Sequence, residues 1–176
     1  MTNSQSSRTG LRTAIVYASV HHGNTRQIAE VLASEMSADV FTTDNPPKTF
    51  ADYDLVGLGS GIYFGRHHWS IRQLVASWNE PPKRVFVFST AGLPFLRYFQ
   101  HASLCGRLRK KGCEIVGEFC CRGWDTVGPL WLFGGINRKR PNERDLRRAG
   151  QFATVVKSRK GTQAESVPEP QQNPKR

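Results

Sequence analysis

The chain has 176 residues, is 38% apolar and carries a formal net charge of +11. That length and apolar share suit one domain with one core rather than two domains, and no apolar run approaches the length needed to cross a bilayer. The polar start from Met1 to Arg12 has no apolar stretch of the secretory kind, so a cytoplasmic location is expected.

Residues 1–11 and the basic stretch 158–176, with Pro168, Pro170 and Pro174, read as disordered tails around a domain spanning 12–157. The first element is the β-branched run Thr13 to Ala18, a buried strand broken by Gly23 and Asn24. Ile28, Val31, Leu32 and Met36 then form the apolar stripe of a helix. Asp39 to Thr43 reads as a second strand ended by Pro46 and Pro47, and Leu55 to Gly59 as a third, followed by a polar and glycine-rich loop to Arg66. A helix carrying Ile71, Leu74, Val75 and Trp78 stops at Pro81 and Pro82. Arg84 to Phe88 is the fourth strand, Ala102 to Lys111 a helix stopped by Gly112, and Glu114 to Phe119 the fifth strand. A last helix starts near Pro141 and Asn142.

Alternating strands and helices imply parallel βαβ units with right-handed crossovers. The expected fold is α/β: a three-layer, doubly wound sheet of five parallel strands. Such sheets bind ligands beyond the carboxyl ends of their strands, at the point where strand order reverses.

The loop Ser19-Val20-His21-His22-Gly23-Asn24-Thr25 joins the first strand to the first helix. Unpaired N–H groups at a helix start form an anion site, and a glycine lets a phosphate approach the backbone. A tight, capped turn is the competing explanation. The loop is neither a Walker sequence nor G-x-G-x-x-G. Four of the five histidines fall in the pairs His21-His22 and His67-His68. No acidic residue or cysteine at ligand spacing joins them, so no metal is expected and the pairs read as exposed or phosphate-facing. Cys105, Cys113, Cys120 and Cys121 include no C-x-x-C pair and read as reduced thiols acting as small hydrophobes. The basic segment Arg138 to Arg148 is not interleaved with aromatics and carries no nucleic-acid motif, so nucleic acid is not an expected partner.

At its first loop the sequence resembles the flavodoxin family, whose phosphate loop runs approximately Ser/Thr-x-Thr-Gly-x-Thr. Gly23, Asn24 and Thr25 match its second half, while Val20 and His22 stand where the family usually has hydroxyls. The likeness runs from about Arg12 to Val156 and continues through Gly59-Ser60-Gly61-Ile62-Tyr63-Phe64-Gly65, Ser89-Thr90-Ala91-Gly92 and Cys121-Arg122-Gly123-Trp124-Asp125-Thr126. The resemblance implies strand order 2-1-3-4-5 and flavin mononucleotide (FMN) as cofactor. It places Ser19, His21, His22, Gly23, Asn24 and Thr25 at the phosphate. It offers Tyr63 as the first ring to stack on the flavin, with Phe64 and Trp124 next. Ser60, Gly61, Ile62, Ser89, Thr90, Ala91, Gly92, Gly123 and Asp125 would complete the site. The function it implies is a redox protein, either an electron carrier serving a partner protein or a small oxidoreductase with a quinone-type acceptor. His67 and His68 are then candidate proton donors to that acceptor. Carriers of this family are generally acidic, so the charge of +11 either argues against a generic electron carrier or implies an acidic partner. The competing expectation is a binding module of the same fold without flavin, interacting through its basic surface. The apolar run Trp131-Leu132-Phe133 reads as core or as an interface.

Overall fold

The structure, a computed structural model, describes residues 11–20, 23–124, 137 and 139–159. Five parallel strands, β1 (Thr13–Ala18), β2 (Asp39–Thr42), β3 (Leu55–Tyr63), β5 (Arg84–Ala91) and β6 (Glu114–Arg122), lie in the order β2-β1-β3-β5-β6. The expected order 2-1-3-4-5 is therefore observed among the parallel strands. An added two-residue strand, β4 (Arg66–His67), turns back antiparallel on the end of β3.

Alternation along the strands divides the core in two. Val56, Leu58, Val85 and Val87 face α2 (Trp69–Ser77) and α3 (Arg97–Lys110), where they meet Ile71, Val75, Leu104 and Leu108. Ile15, Phe86, Phe88 and Phe119 face α1 (Asn24–Met36) and α4 (Glu143–Ser158), where they meet Ile28, Leu32, Ala149, Ala153 and Val156. Each large side chain fully withdrawn from water contributes about 1.5–3 kcal/mol before conformational entropy is counted. α1 ends at Ser37, whose left-handed backbone (φ 52°) turns its N–H onto the carbonyls of Ala33 and Ser34. α4 opens with a capping box. The Asn142 side chain accepts from the Asp145 N–H, and the Asp145 carboxylate accepts from the Asn142 N–H.

The strands run further than the sequence suggests. The segments Ser60 to Tyr63 and Ser89 to Ala91, read as loops, are strand, and the last strand runs on to Arg122. Continuous pairing explains this: Ser60 lies opposite Ser89, Gly61 opposite Thr90, and Ser89 opposite Cys120. The small residues of β3 are packing positions rather than turn signals. A Cβ on Gly57 would come within 2.3 Å of the Phe86 ring, and one on Gly59 within 2.1 Å of the Phe88 ring. α3 likewise begins at Arg97 rather than Ala102, after a 3-10 turn over Pro94–Leu96. The tails beyond residues 11 and 159 and the run Trp131-Leu132-Phe133 lie outside the described residues.

Gly59→Ala should destabilise the protein by about 1–3 kcal/mol through overpacking against Phe88. Phe88→Leu in the same chain should return part of that loss, a coupling read from urea midpoints of the two single variants and the double one.

Candidate functional site

The carboxyl ends of β1, β3, β5 and β6 gather the sequence motifs on one side of the sheet. Gly23 is the N-cap of α1, in the left-handed region (φ 66°), with no side-chain cap and open space where a Cβ would stand. The first-turn N–H groups of α1 therefore have no side-chain acceptor at the cap. Beside them, the Ser19 hydroxyl oxygen is buried and makes no hydrogen bond among the described residues. Both residues line a cleft of about 560 Å³, together with Tyr17, Val20, Arg26, Thr42 to Asp44, and His68 to Ser70. That volume falls in the usual range for ligand sites, about 300–1,000 Å³.

The neighbouring donors are committed elsewhere. The Asn24 amide donates to the Trp124 carbonyl (2.8 Å), tying the start of α1 to the segment after β6. The hydroxyls of Thr25 and Thr90 bond to each other at 3.0 Å, both buried. The Arg26 guanidinium donates to Glu30 at 2.7 Å. His21 and His22 lie outside the described residues, as does Asp125.

The second motif is a hairpin. Ile62 pairs with His67 and Tyr63 with Arg66, and the turn residues Phe64 (φ 48°) and Gly65 (φ 76°) both take positive φ. Two positive φ values match the right-handed twist of the flanking strands. A bulky residue there is strained, and Phe64 is held 92% exposed. Tyr63 stands edge-on to His68 at 5.5 Å.

The Ser60 hydroxyl is buried and fully engaged. It donates to the Gly61 carbonyl, accepts from the His68 N–H (2.9 Å) and lies 2.9 Å from His67 Nδ1. The expectation of an exposed His67-His68 pair is corrected for His67, which is buried beneath the hairpin. Burial, with His101 and Arg72 nearby, pushes its pKa well below that of an ordinary imidazole, so it is neutral. His68 caps α2, its ring accepting from the Ser70 N–H.

The third motif stands on a buried relay of side chains. Ser89 Oγ is 2.7 Å from His101 Nε2, and His101 Nδ1 is 3.0 Å from Glu118. The hydrogen bond from His101 holds the Glu118 carboxyl below its usual pKa, opposed by burial. The His67 and His101 rings lie 4.8 Å apart. Ala91 and Gly92 serve through their carbonyls, which accept from the Gly123 N–H (3.1 Å) and the Asn137 amide (3.0 Å). All four cysteines are free and buried. Burial pushes the Cys105 thiol up to about 12 and raises those of Cys113, Cys120 and Cys121, so none is a ready thiolate. Among the described residues no three His, Cys, Asp or Glu side chains are placed to hold a metal.

Several residues on this side were not singled out from sequence. Trp69 lines the 560 Å³ cleft and also a second one beneath Tyr63 and Phe64. Phe95 (73% exposed), Tyr98 and Phe99 (82% exposed) project from the segment after β5. Their signal was present: a dense aromatic run, Leu93-Pro94-Phe95-Leu96-Arg97-Tyr98-Phe99, directly beyond a strand.

This topology, with a glycine-opened helix after β1 and polar strand ends, defines a flavodoxin-type α/β domain. A family model for the flavodoxin domain matches residues 14–93. An uncharacterized protein of Methanocaldococcus jannaschii is 46% identical over 147 residues, 83% of this chain and 98% of its own. The chain belongs to the flavodoxin domain family. Among solved structures it is similar to a flavodoxin from the domain Archaea (TM-score 0.59, 15% identity, covering 83% of this chain and 96% of that one). It is likewise similar to oxidised flavodoxin 2 from Bacillus cereus (0.60, 18%, 82% and 97%). A WrbA-like flavodoxin protein from Agrobacterium tumefaciens also matches (0.58, 18%, 84% and 98%). At these identities the likeness to the solved structures is one of fold. No helix among the described residues is long and apolar enough to cross a membrane.

The neutral, buried His67 sets a pH dependence. Its folded pKa lies below the unfolded value of about 6.5, so below that pH the unfolded chain binds a proton that the folded chain refuses. Stability is full above about pH 6.5 and falls as pH drops through it, by up to about 1.4 kcal/mol per pH unit for one proton. In urea melts from pH 7.5 to 5, His67→Gln should give a shallower slope than the parent chain. Parallel slopes would remove His67 as the cause.

Proposed function

We propose that the chain binds FMN and works as a flavin-dependent redox protein. The observation that carries this reading is the glycine-opened start of α1 beside Ser19, whose buried hydroxyl has no partner among the described residues; Ser19 and Gly23 both line the 560 Å³ cleft. An anionic phosphate there would meet backbone N–H groups and the positive end of the helix dipole. Recognition through backbone donors explains why Val20 in place of a hydroxyl residue is compatible with binding. The fit rests on Ser19, Gly23 and the α1 backbone. Asn24 and Thr25 act by holding that backbone in place, through Trp124 and Thr90.

FMN, when bound, supplies one- and two-electron chemistry that no side chain offers. On this reading the chain contributes aromatic walls: Tyr63, Phe64 and Trp69 on the hairpin side, and Phe95, Tyr98 and Phe99 after β5. Exposed rings on this rim suit a flat, apolar acceptor of the quinone type. The charge of +11 suits an acidic partner protein, so electron transfer to such a partner is the other form of the same reading. In either form His67 is no proton donor to an acceptor, being buried and neutral.

A second reading, a flavodoxin-fold binding module without flavin, draws on the cluster of arginines around the start of α4. FMN titration of the purified chain, followed by flavin absorbance and fluorescence quenching, separates the two. Saturation at equal stoichiometry is expected, with riboflavin, which lacks the phosphate, far weaker. Ser19→Ala should weaken FMN about tenfold or more, the loss of one hydrogen bond to a charged group. No binding of FMN would leave the module reading.

A further inference from the structure

A second cleft, of about 310 Å³, lies between the end of β6 and α4 and shares no lining residue with the cleft at the start of α1. Four arginines line it, Arg122, Arg140, Arg144 and Arg148, with Asp145 and Pro94 completing the wall. They come from separate parts of the chain. Arg122 ends β6 opposite Ala91, Arg140 precedes α4, and Arg144 and Arg148 stand one turn apart on it. We propose that this cleft is a binding site for a small, multiply charged anion, recognised through its phosphate or carboxylate groups.

The imbalance of charge carries the inference. Among the described residues Asp145 is the single carboxylate of the cleft, and it is already engaged. It accepts from Arg140 Nη1 at 2.6 Å and from the Asn142 N–H at 3.2 Å. Arg122, Arg144 and Arg148 form no ion pair among the described residues. The other acid of this turn, Glu143, pairs outward with Arg147, outside the cleft. Like charges one turn apart on a helix repel, and here they share a concave wall with two more. Arg122, Arg144 and Arg148 are exposed, while Arg140 is half-buried and held by Asp145 and by Asn142 (3.0 Å); Arg148 also stands over the Phe119 ring at 6.0 Å.

Guanidinium forks match the paired oxygens of carboxylate and phosphate. The volume sets the size of the ligand. It lies near the lower limit for ligand sites, enough for a diphosphate or a tricarboxylate and too small for a flavin nucleotide. The site stands apart from the start of α1, so the inference does not depend on flavin binding.

The test is calorimetric titration of the full chain with pyrophosphate and with citrate at constant ionic strength, with and without saturating FMN. At least one anion should saturate at 1:1. Binding should weaken about tenfold or more in R144Q/R148Q, which removes two charge-assisted contacts, and stay within about twofold in R147Q, which removes the same kind of charge outside the cleft. FMN should leave the binding unchanged. Should R144Q/R148Q fail to fold by circular dichroism, Arg122→Gln replaces it. No saturation in the millimolar range would overturn the site, as would equal weakening in R147Q, which marks diffuse attraction. Loss of binding on FMN saturation would assign the anion to the start of α1 and overturn it too. An oligoglutamate peptide binding far more tightly than both anions would assign the cleft to an acidic protein instead. If FMN fails to bind at all, the reading as a flavoprotein falls, while the comparison of arginine variants still decides the cleft.

Discussion

The Phe86 and Phe88 rings lie against Gly57 and Gly59, and the centre of the sheet depends on that contact. The two phenylalanines fill the face toward α1 and α4, where a neighbouring strand with side chains would push them away. Glycine at these two positions removes that obstacle but withdraws side-chain packing there, so that stretch of β3 is held by strand pairing on both sides. The strand pairs with β1 from Thr13 to Ala18 and with β5 up to Thr90. The pairing continues past the apolar core and carries polar residues with it. Ser60 and Ser89 come to lie side by side at the edge where the candidate site begins.

Polar residues buried at that depth need partners, and the structure supplies them from other elements. Ser60 is engaged by the hairpin through His67 and His68, and Ser89 by His101 of α3, which is in turn bonded to Glu118 of β6. The Ser89-His101-Glu118 chain has the hydrogen-bond order of a hydrolytic triad, but Ser89 is fully buried and cannot meet a substrate. Its work is structural: a satisfied buried network specifies one arrangement, because any slip leaves polar atoms unpaired. His67 keeps one unpaired atom, Nε2, and this local imperfection lies directly under the strained Phe64 turn.

The order of the elements was legible because β-branched runs and helical stripes alternate cleanly, as in Thr13 to Ala18 followed by Ile28, Leu32 and Met36. The ends of the strands were not. Gly, Ser and Thr at the ends of β3 and β5 carry turn-like propensity, and only the neighbouring strands and the two phenylalanine rings make them strand. The same limit applies to the site. Gly23 was readable as a helix-opening glycine, since φ 66° is a local property. The partnership of Thr25 with Thr90 joins residues 65 apart, and that of His101 with Glu118 joins a helix to a strand. Nothing local encodes either pair. His67 read as exposed because a histidine pair beside a turn is polar, whereas the β4 hairpin folds it inward.

The two clefts also recognise charge differently. The cleft at the start of α1 holds one arginine already bound to Glu30, and Asp44 on its wall, so its described side chains bring little net positive charge. An anion there would be held by the backbone and the helix dipole, terms that act at short range and do not need a basic protein. The cleft beside α4 is the reverse. Two of the N–H groups opening that helix, those of Asn142 and Asp145, are engaged by the capping box, and four arginines line the cleft. Because the two clefts share no lining residue, substitution of the arginines beside α4 leaves the glycine-opened start of α1 without a changed neighbour in its own wall.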